Sequence, residues 1–275
     1  MTHSMDKKFK LSAHIGYLFT DLPLEHRFAA AAEAGFQAVE HPAPYSLDAA
    51  SVARLLHDNG LVFSQFALPM GDPRKGEKGF ACLPGRETEF REALDLALDY
   101  AQTVGCAAIH SMSGIVAGET PRETLSNIYQ KNLSYAAEEC EKRGIRLLIE
   151  AISSGVPGYF LNDMRKAIAA IQEIGNNNIS LLFDTFHACT TGLDPVAFFS
   201  ANWRQIGHVH IADYPGRHEP GTGQIDFVGL FAAIKASDYD GFVGCEYVPL
   251  NGTAEGLAWR DPFGGGSEGI AAEGL

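Results

Sequence analysis

The chain has 275 residues, of which 46% are apolar, and a formal net charge of −13 at pH 7. This length and apolar content suffice for one large domain with an ample buried core. The acidic balance argues against a nucleic-acid partner, because proteins that grip phosphate backbones present basic surfaces.

Cysteine usage and the N-terminal segment are typical of a protein of the reducing cytoplasm. The five cysteines show no CxxC spacing, and Cys106, Cys140 and Cys245 lie in apolar stretches like ordinary core thiols. The N-terminal "MTHSMDKKFK" lacks the apolar centre of a secretory signal, and no apolar run approaches the roughly 18 residues of a membrane helix. We therefore expect a cytoplasmic location and no membrane partner.

Strand-like and helix-like patterns alternate along the chain. Eight strands are predicted, over 11–17, 37–41, 62–68, 107–112, 146–152, 180–186, 207–213 and 241–247. Helical patterns lie between them, over 24–36, 47–61, 87–105, 121–144, 163–175 and 226–239. Several of these helices end at a glycine, and Pro121 is expected in the first turn of its helix.

This alternation predicts a mainly parallel sheet covered by helices. Eight such units in about 250 residues have the size of a closed (β/α)₈ barrel. The rival is a doubly wound open sheet, whose GxGxxG fingerprint is missing after the first strand, where the sequence reads "HIGYLFTDLP". We predict an α/β fold with a single TIM-barrel domain over 1–275, a core over about 9–260 and a Gly-rich tail over 263–275.

Four polar residues lie at the ends of four consecutive predicted strands. They are Glu150, Asp184, His210 and Glu246. The carboxyl ends of barrel strands form the active-site rim, so these side chains should meet there. Without a cation, the three carboxylates of such a cluster would repel one another. The sequence thus predicts a divalent metal site, whose donors favour Mn²⁺ or Mg²⁺, with Co²⁺ and Zn²⁺ as alternatives.

Each of these residues also has a structural interpretation, since a strand-end carboxylate often caps a helix or forms a salt bridge. His208 shares a strand face with His210, and His210 is the expected ligand because it is nearer the rim. Substrate contacts are expected from His187, His110 and Arg217, with a position in the core as the alternative for His110. Arg217 suits a substrate carboxylate through a bidentate pair, with a salt bridge inside its own loop as the alternative.

The predicted site suggests a proton-transfer reaction. A six-coordinate ion with four protein ligands would leave two positions for a substrate, polarise its carbonyl group and stabilise an enediolate. Glu150 and Glu246 are the expected catalytic pair, passing a proton between adjacent carbons. The long segment 67–87, rich in Gly and Pro, is expected to fold over the site as a lid.

Several motifs resemble the hydroxypyruvate isomerase family, within the xylose isomerase-like TIM barrel superfamily. They are "LPGRE", "IEAI", "FDTFH", "GHVHIADYPGRHEPGTGQIDF" and "GCEY", and the resemblance extends over about residues 9–260. It implies the same barrel, the metal ligands Glu150, Asp184 and Glu246, and Glu150 and Glu246 as the acid/base pair.

The chain departs from that family at three places. "HVHIA" puts His210 where the family commonly has glutamine, and related ketose 3-epimerases carry histidine there. "AISSGVPGYF" and "DTFHA" are more similar to the 2-oxotetronate isomerase branch. "VEHPAPY" is expected to place His41 near the rim.

The expected activity is a metal-dependent aldose–ketose isomerisation of a short 2-oxo acid through a metal-stabilised enediolate. Hydroxypyruvate to 2-hydroxy-3-oxopropanoate (tartronate semialdehyde) is the leading reaction, followed by isomerisation of 2-oxotetronate. The expected partner is a small-molecule substrate; a homo-oligomer is compatible with the sequence, which does not specify it. A ketose 3-epimerase, a metal-dependent nuclease of the same superfamily and a non-catalytic sugar-acid binding barrel are the alternatives. Arg217 favours an acid substrate, and the net charge of −13 counts against the nuclease.

Overall fold

The computed structural model describes residues 9–153 and 155–263, and within these ranges it contains nine strands and eight α-helices. The strands are β1 (Leu11–His14), β2 (Ala38–Glu40), β3 (Val62–Phe63), β4 (Phe66–Ala67), β5 (Ala108–Ser111), β6 (Arg146–Glu150), β7 (Ile179–Asp184), β8 (Ile206–Ile211) and β9 (Val243–Cys245). The helices are α1 (Arg27–Glu33), α2 (Ala49–Asp58), α3 (Glu87–Val104), α4 (Arg122–Lys142), α5 (Met164–Ile174), α6 (Thr185–Thr190), α7 (Pro195–Asn202) and α8 (Phe227–Ala236). The predicted tail lies, from residue 264 onward, outside the described residues.

The strands form a nearly closed parallel barrel. Their order is β3-β2-β1-β9-β8-β7-β6-β5-β4, so the two ends of the sheet are β3 and β4. These two short strands are the halves of the predicted strand 62–68, interrupted at Ser64 and Gln65. The predicted (β/α)₈ TIM barrel is therefore confirmed, with its third strand broken in two.

The main differences from the predicted elements lie near the rim. The predicted strand 180–186 ends at Asp184, because Thr185 already begins α6. The predicted strand 241–247 is reduced to β9, so Glu246 follows the strand instead of lying within it. Neither α6 nor α7 was predicted, and Pro121 precedes α4 as its cap.

Alternate residues of the strands have different surroundings. Outward-facing side chains such as Ile149, Phe183 and Val209 belong to the apolar core between sheet and helices. That core also holds Cys106, Cys140 and Cys245 as free thiols, as predicted. Among the described helices, none combines the length and hydropathy needed to cross a bilayer.

The inward-facing side chains include a buried polar cluster centred on Glu40 of β2, which has no exposed surface. Its Oε2 accepts a hydrogen bond from Ser64 Oγ at 2.9 Å and lies 2.8 Å from His208 Nε2. Its Oε1 lies 3.0 Å from His210 Nε2. Burial opposes the charge of Glu40, but the two histidines hold the pKa of its carboxyl well below the usual range. Glu40 thus connects β2 to β8 across the barrel.

We expect Glu40→Ala to lower the free energy of unfolding by about 3–5 kcal/mol, because removing one partner leaves buried polar groups unpaired. Urea denaturation of the metal-free protein measures this loss. Glu33→Ala, at an exposed carboxylate in the last turn of α1, is the control and should change stability by less than about 0.5 kcal/mol. A Glu40→Ala variant within about 1 kcal/mol of the parent would contradict a stabilising role for this cluster.

Candidate metal centre

The barrel brings the four predicted ligands together at its carboxyl-terminal rim. Parallel register places Glu150 beside Leu182 and Asp184 beside His210, while Glu246 follows β9. One ligand atom from each of Glu150, Asp184, His210 and Glu246 lies within 4.8 Å of the others. Three of these residues are buried and Glu246 is partly buried. Four residues far apart in sequence therefore converge on one point.

Asp184 combines two roles that the sequence left as alternatives. Its Oδ1 accepts hydrogen bonds from the backbone N–H groups of Phe186 (2.7 Å) and His187 (3.2 Å), which caps α6. Its Oδ2 faces the cluster, 3.4 Å from Arg217 Nη2 and 3.7 Å from His187 Nε2. The cap fixes one oxygen and thereby orients the other toward the predicted ligands.

His210 lies between two carboxylates. Its Nδ1 is 3.3 Å from Glu246 Oε2 and its Nε2 is 3.0 Å from Glu40 Oε1. Burial opposes a charged imidazole, but Glu246 and Glu40 raise the pKa of His210 well above its ordinary value. His208 binds Glu40 deeper in the barrel, which agrees with the interpretation of one histidine as structural.

Glu40 was missed by the sequence analysis. Like the other carboxylates, Glu40 is an acidic residue near the end of a strand-like run. From the "VEH" segment, however, only His41 was predicted to lie near the rim. His41 is half-buried, and its Nδ1 accepts a hydrogen bond from Ala43 N at 3.1 Å. It does not line the cavity described below.

The two glutamates differ in protonation. Burial, together with the charges of Glu246 and Asp184, raises the pKa of Glu150 to about 8. Burial opposes ionisation of Glu246 as well, but His210 and Arg217 hold the pKa of that carboxyl well below its usual range. In the metal-free protein near pH 7, the Glu150 carboxyl is thus protonated and the Glu246 carboxyl is ionised, and Glu150 has to lose its proton before it can bind a cation.

Arg217 lies directly against two of the predicted ligands. Its Nη2 donates to Glu246 Oε2 at 2.6 Å and to Asp184 Oδ2 at 3.4 Å. The guanidinium also lies over the rings of Tyr17 (5.5 Å) and Phe186 (5.2 Å). Its Nε is buried and has no hydrogen-bond partner within the described part of the chain. Arg217 therefore forms salt bridges with two predicted ligands instead of one within its own loop, and its Nε is left for another ligand.

The loop that carries Arg217 is organised by Asp213, which the sequence analysis did not identify. The Asp213 carboxylate accepts hydrogen bonds from the backbone N–H groups of Gly221, Gly223 and Ile225, at 2.9, 2.8 and 3.0 Å. Arg217 itself adopts a left-handed backbone conformation, with φ 57°, which is uncommon for a residue with a side chain. These bonds hold the loop in the shape that directs Arg217 inward.

Two neutral histidines flank the cluster. The Ser153 backbone N–H donates to His187 Nδ1 at 3.4 Å, so the proton of this ring is on Nε2, toward Asp184. His110 Nε2 lies 3.8 Å from Glu150 Oε2. Burial lowers the pKa of both rings, that of His110 to about 3. Both residues line the cavity, and their contact with a substrate stays a prediction.

A cavity of about 200 Å³ opens onto the cluster. Its residues include Glu150, His187, His210, Arg217, Glu246, Tyr17, Gln65, Met70, Lys78, His110 and Met112. The predicted lid segment 67–87 supplies Ala67, Met70 and Lys78 to this wall. The volume is below the 300 Å³ or so of pockets for drug-sized molecules, so it suits a compact substrate.

The donor set fits a divalent cation. It offers three carboxylates and the buried Nδ1 of His210, which has no hydrogen-bond partner among the described residues. Oxygen-rich sites with one imidazole match Mn²⁺ or Mg²⁺ better than thiolate-preferring metals. The cluster can therefore hold a metal ion, and Glu40 on the opposite ring nitrogen would orient His210 toward it.

Comparison with known proteins agrees with this geometry. Residues 28–263 match the family described as xylose isomerase-like TIM barrel. A 2-oxo-tetronate isomerase of Cupriavidus necator is 37% identical over 92% of this chain and 98% of its own, and a hydroxypyruvate isomerase of Escherichia coli is 38% identical over 92% and 99%. A solved structure from Brucella melitensis, described as an AP endonuclease of family 2, superposes with a TM-score of 0.89 at 36% identity over 92% of this chain and 98% of that one.

The resemblance seen in the motifs is thus confirmed over nearly the whole chain. The barrel, its family profile and the relatives that carry isomerase names all agree. The chain belongs to the xylose isomerase-like TIM barrel family and is similar throughout to its hydroxypyruvate and 2-oxo-tetronate isomerases.

Proposed function

We propose that the protein is a divalent-metal-dependent isomerase of short 2-oxo acids. The observation that carries the proposal is the convergence of Glu150, Asp184, His210 and Glu246 within 4.8 Å, beside a small cavity. The names of the relatives supply the substrate class. Hydroxypyruvate, which would give 2-hydroxy-3-oxopropanoate, is the leading substrate, and 2-oxotetronate is the alternative.

The proposed reaction moves one proton between neighbouring carbons. A divalent ion at the cluster would polarise the substrate carbonyl. One carboxyl of the pair Glu150 and Glu246 removes a proton from the hydroxymethyl carbon, and the resulting enediolate is reprotonated on the former carbonyl carbon. The hydroxyl proton meanwhile passes from one substrate oxygen to the other, and we assign His187, which lines the cavity, as a hydrogen-bond donor to these oxygens. Atoms and charge balance without an oxidant or a second substrate.

The remaining polar groups would orient the substrate. The unpartnered Nε of Arg217 is the donor that we assign to the substrate carboxylate. Neutral His110, whose Nε2 lies 3.8 Å from Glu150 Oε2, would place an uncharged polar group next to the reacting carboxyl. Tyr17 and Phe186 restrict the movement of the guanidinium, because both rings pack on it.

A ketose 3-epimerase is the second candidate, and His210 is the observation in its favour. An epimerase would use the same pair of carboxyls to remove and return a proton at a single carbon. The cavity of about 200 Å³ favours a three- or four-carbon acid over a six-carbon sugar. The 2-oxo acid reaction is therefore the better supported of the two.

A nuclease is less well supported, although the Brucella melitensis structure is described as an AP endonuclease. The second group of potential ligands among the described residues, Glu40, His208 and His210, is buried and shares His210 with the first. A net charge of −13 also opposes binding of a nucleic-acid backbone. A DNA-cleavage assay with added Mn²⁺ is expected to show no cutting.

An NMR assay separates the candidate substrates. With Mn²⁺ or Mg²⁺ present, we expect hydroxypyruvate or 2-oxotetronate to be isomerised at least about a hundredfold faster than a ketohexose. A ketohexose has no carboxylate, so it would leave the polar groups that bind the carboxylate unpaired, which has a large cost. EDTA should abolish the activity, and re-addition of the ion should restore it. Faster turnover of the ketohexose would favour the epimerase, and binding of an acid without turnover would favour a non-catalytic barrel.

Removing either proposed acid/base group should stop proton transfer. We expect Glu150→Gln and Glu246→Gln each to lower kcat by about 10²–10⁴-fold. Glu173→Gln, at an exposed position on α5, is the matched control and should leave kcat unchanged. Circular dichroism and metal titration verify that the variants fold and bind metal. Full turnover of metal-loaded Glu150→Gln would exclude Glu150 from the reaction.

Metal affinity should rise with pH. Because the pKa of Glu150 is raised to about 8 in the metal-free protein, this carboxyl is protonated below pH 8 and must lose its proton to bind a cation. The apparent Mn²⁺ affinity should therefore fall by about tenfold per pH unit below pH 8 for this proton alone. Calorimetry in buffers of different ionisation enthalpy counts the released protons. Glu150→Gln should release one proton fewer, and an equal count in both proteins would contradict the assignment.

A further inference from the structure

Lys78 occupies a defined position at the mouth of the cavity. It belongs to the segment 68–86 after β4, which we call the rim loop, and it lines the cavity while remaining exposed. Among the described lining residues, only Arg217 and Lys78 carry a permanent positive charge. Lys78 has no ion-pair or hydrogen-bond partner within residues 9–153 and 155–263, so its ammonium group is available to a ligand.

The backbone next to Lys78 is firmly anchored. Gly79 N donates to Met70 O at 2.9 Å, which closes the rim loop, and Gly79 forms an antiparallel bridge with Ser113. Gly79 has φ 80°, and a side chain there would collide with the backbone of Met112. The loop therefore docks on the residues after β5 at a position that only glycine fits, and the anchor lies beside Lys78.

On the other side of Lys78, a network of ion pairs fixes Glu77. Glu77 Oε1 accepts from Arg86 Nη1 at 2.8 Å, and Glu77 Oε2 accepts from the Asp72 backbone N–H at 2.8 Å. Arg86 also donates to Glu89 Oε1 at 2.6 Å, which ties the rim loop to the first turn of α3. Because Glu77 and Gly79 are both held, the Cα of Lys78 has a fixed place at the rim.

The charges at the predicted metal site leave an anionic substrate without a free positive partner, which gives Lys78 a role. Arg217 and a divalent ion together compensate the three carboxylates Glu150, Asp184 and Glu246. An anionic substrate would meet no excess positive charge there, although Arg217 Nε offers a hydrogen bond. Lys78 is the additional cation that the cavity provides. Its side chain is exposed, so solvent screens part of its Coulomb attraction to a carboxylate without abolishing it.

We propose that Lys78 binds the carboxylate of the substrate and makes the site select acids over neutral sugars. This inference rests on the proposed function for the identity of the substrate. The ammonium contact would be made equally in the ground state and the transition state, since the carboxylate does not react. Its loss should accordingly raise KM and leave kcat nearly unchanged.

The test variant is Lys78→Met and the matched control is Lys75→Met. Lys75 is an exposed lysine of the same loop that does not line the cavity. For hydroxypyruvate with Mg²⁺, we expect Lys78→Met to raise KM about tenfold with kcat within about twofold, and Lys78→Arg to restore most of the affinity. The KM or inhibition constant of dihydroxyacetone, the neutral counterpart with a hydroxymethyl group in place of the carboxylate, should not change. An unchanged KM for hydroxypyruvate in Lys78→Met would overturn the inference while leaving the proposed function intact.

If the parent protein isomerises neither hydroxypyruvate nor 2-oxotetronate, the proposed function is refuted. A second measurement then tests the role of Lys78 by itself. Binding of D-glycerate and of glycerol to the Mg²⁺-loaded protein is then followed by NMR titration. A tenfold weaker affinity of Lys78→Met for glycerate, with glycerol unaffected, would retain Lys78 as a carboxylate-binding residue. Equal glycerate affinity in the parent and Lys78→Met would refute that role as well.

Discussion

The crowding of like charges at the carboxyl-terminal rim is the constraint on which the rest of the site depends. At an effective dielectric constant near 20, two unit charges about 5 Å apart interact with roughly 3 kcal/mol. Three carboxylates whose oxygens lie within 4.8 Å of one another are therefore tolerated only with compensation. In the metal-free chain the compensation comes from a proton on Glu150, from the protonated imidazole of His210 and from the guanidinium of Arg217.

Inside the barrel, polar partners also compensate the charge of a further buried carboxylate, Glu40. Glu40 accepts contacts from His208 and His210 on their Nε2 atoms, and Ser64 donates to the same carboxylate. A carboxylate on Nε2 leaves Nδ1 of His210 directed toward Glu246. The interruption of the third strand between β3 and β4 belongs to this arrangement, because Ser64 lies at the break and reaches Glu40. A polar column thus runs through the barrel beneath the proposed metal site.

Much of this structure follows from the sequence. Alternation of strand and helix predicts the barrel, and the rule that sites lie at the carboxyl ends of strands predicts that Glu150, Asp184, His210 and Glu246 meet. The sequence could not specify that Arg217 would bind two of these residues, because loop conformation depends on the backbone bonds that Asp213 accepts. The role of Glu40 could not be predicted because its partner histidines lie more than 160 positions away in the sequence. Helix α6 was hidden because "FDTFH" continues an apolar strand pattern past Asp184.

The double use of Asp184 has a mechanical consequence. One oxygen caps the first turn of a helix whose third residue is His187, while the other faces the cluster of predicted metal ligands. A tilt of that short helix would move the Asp184 carboxylate and the His187 imidazole together, so the spacing between these two groups is preserved when the surrounding segments shift. Mutations that loosen α6 would thereby disturb both contacts at once, even when neither side chain is altered.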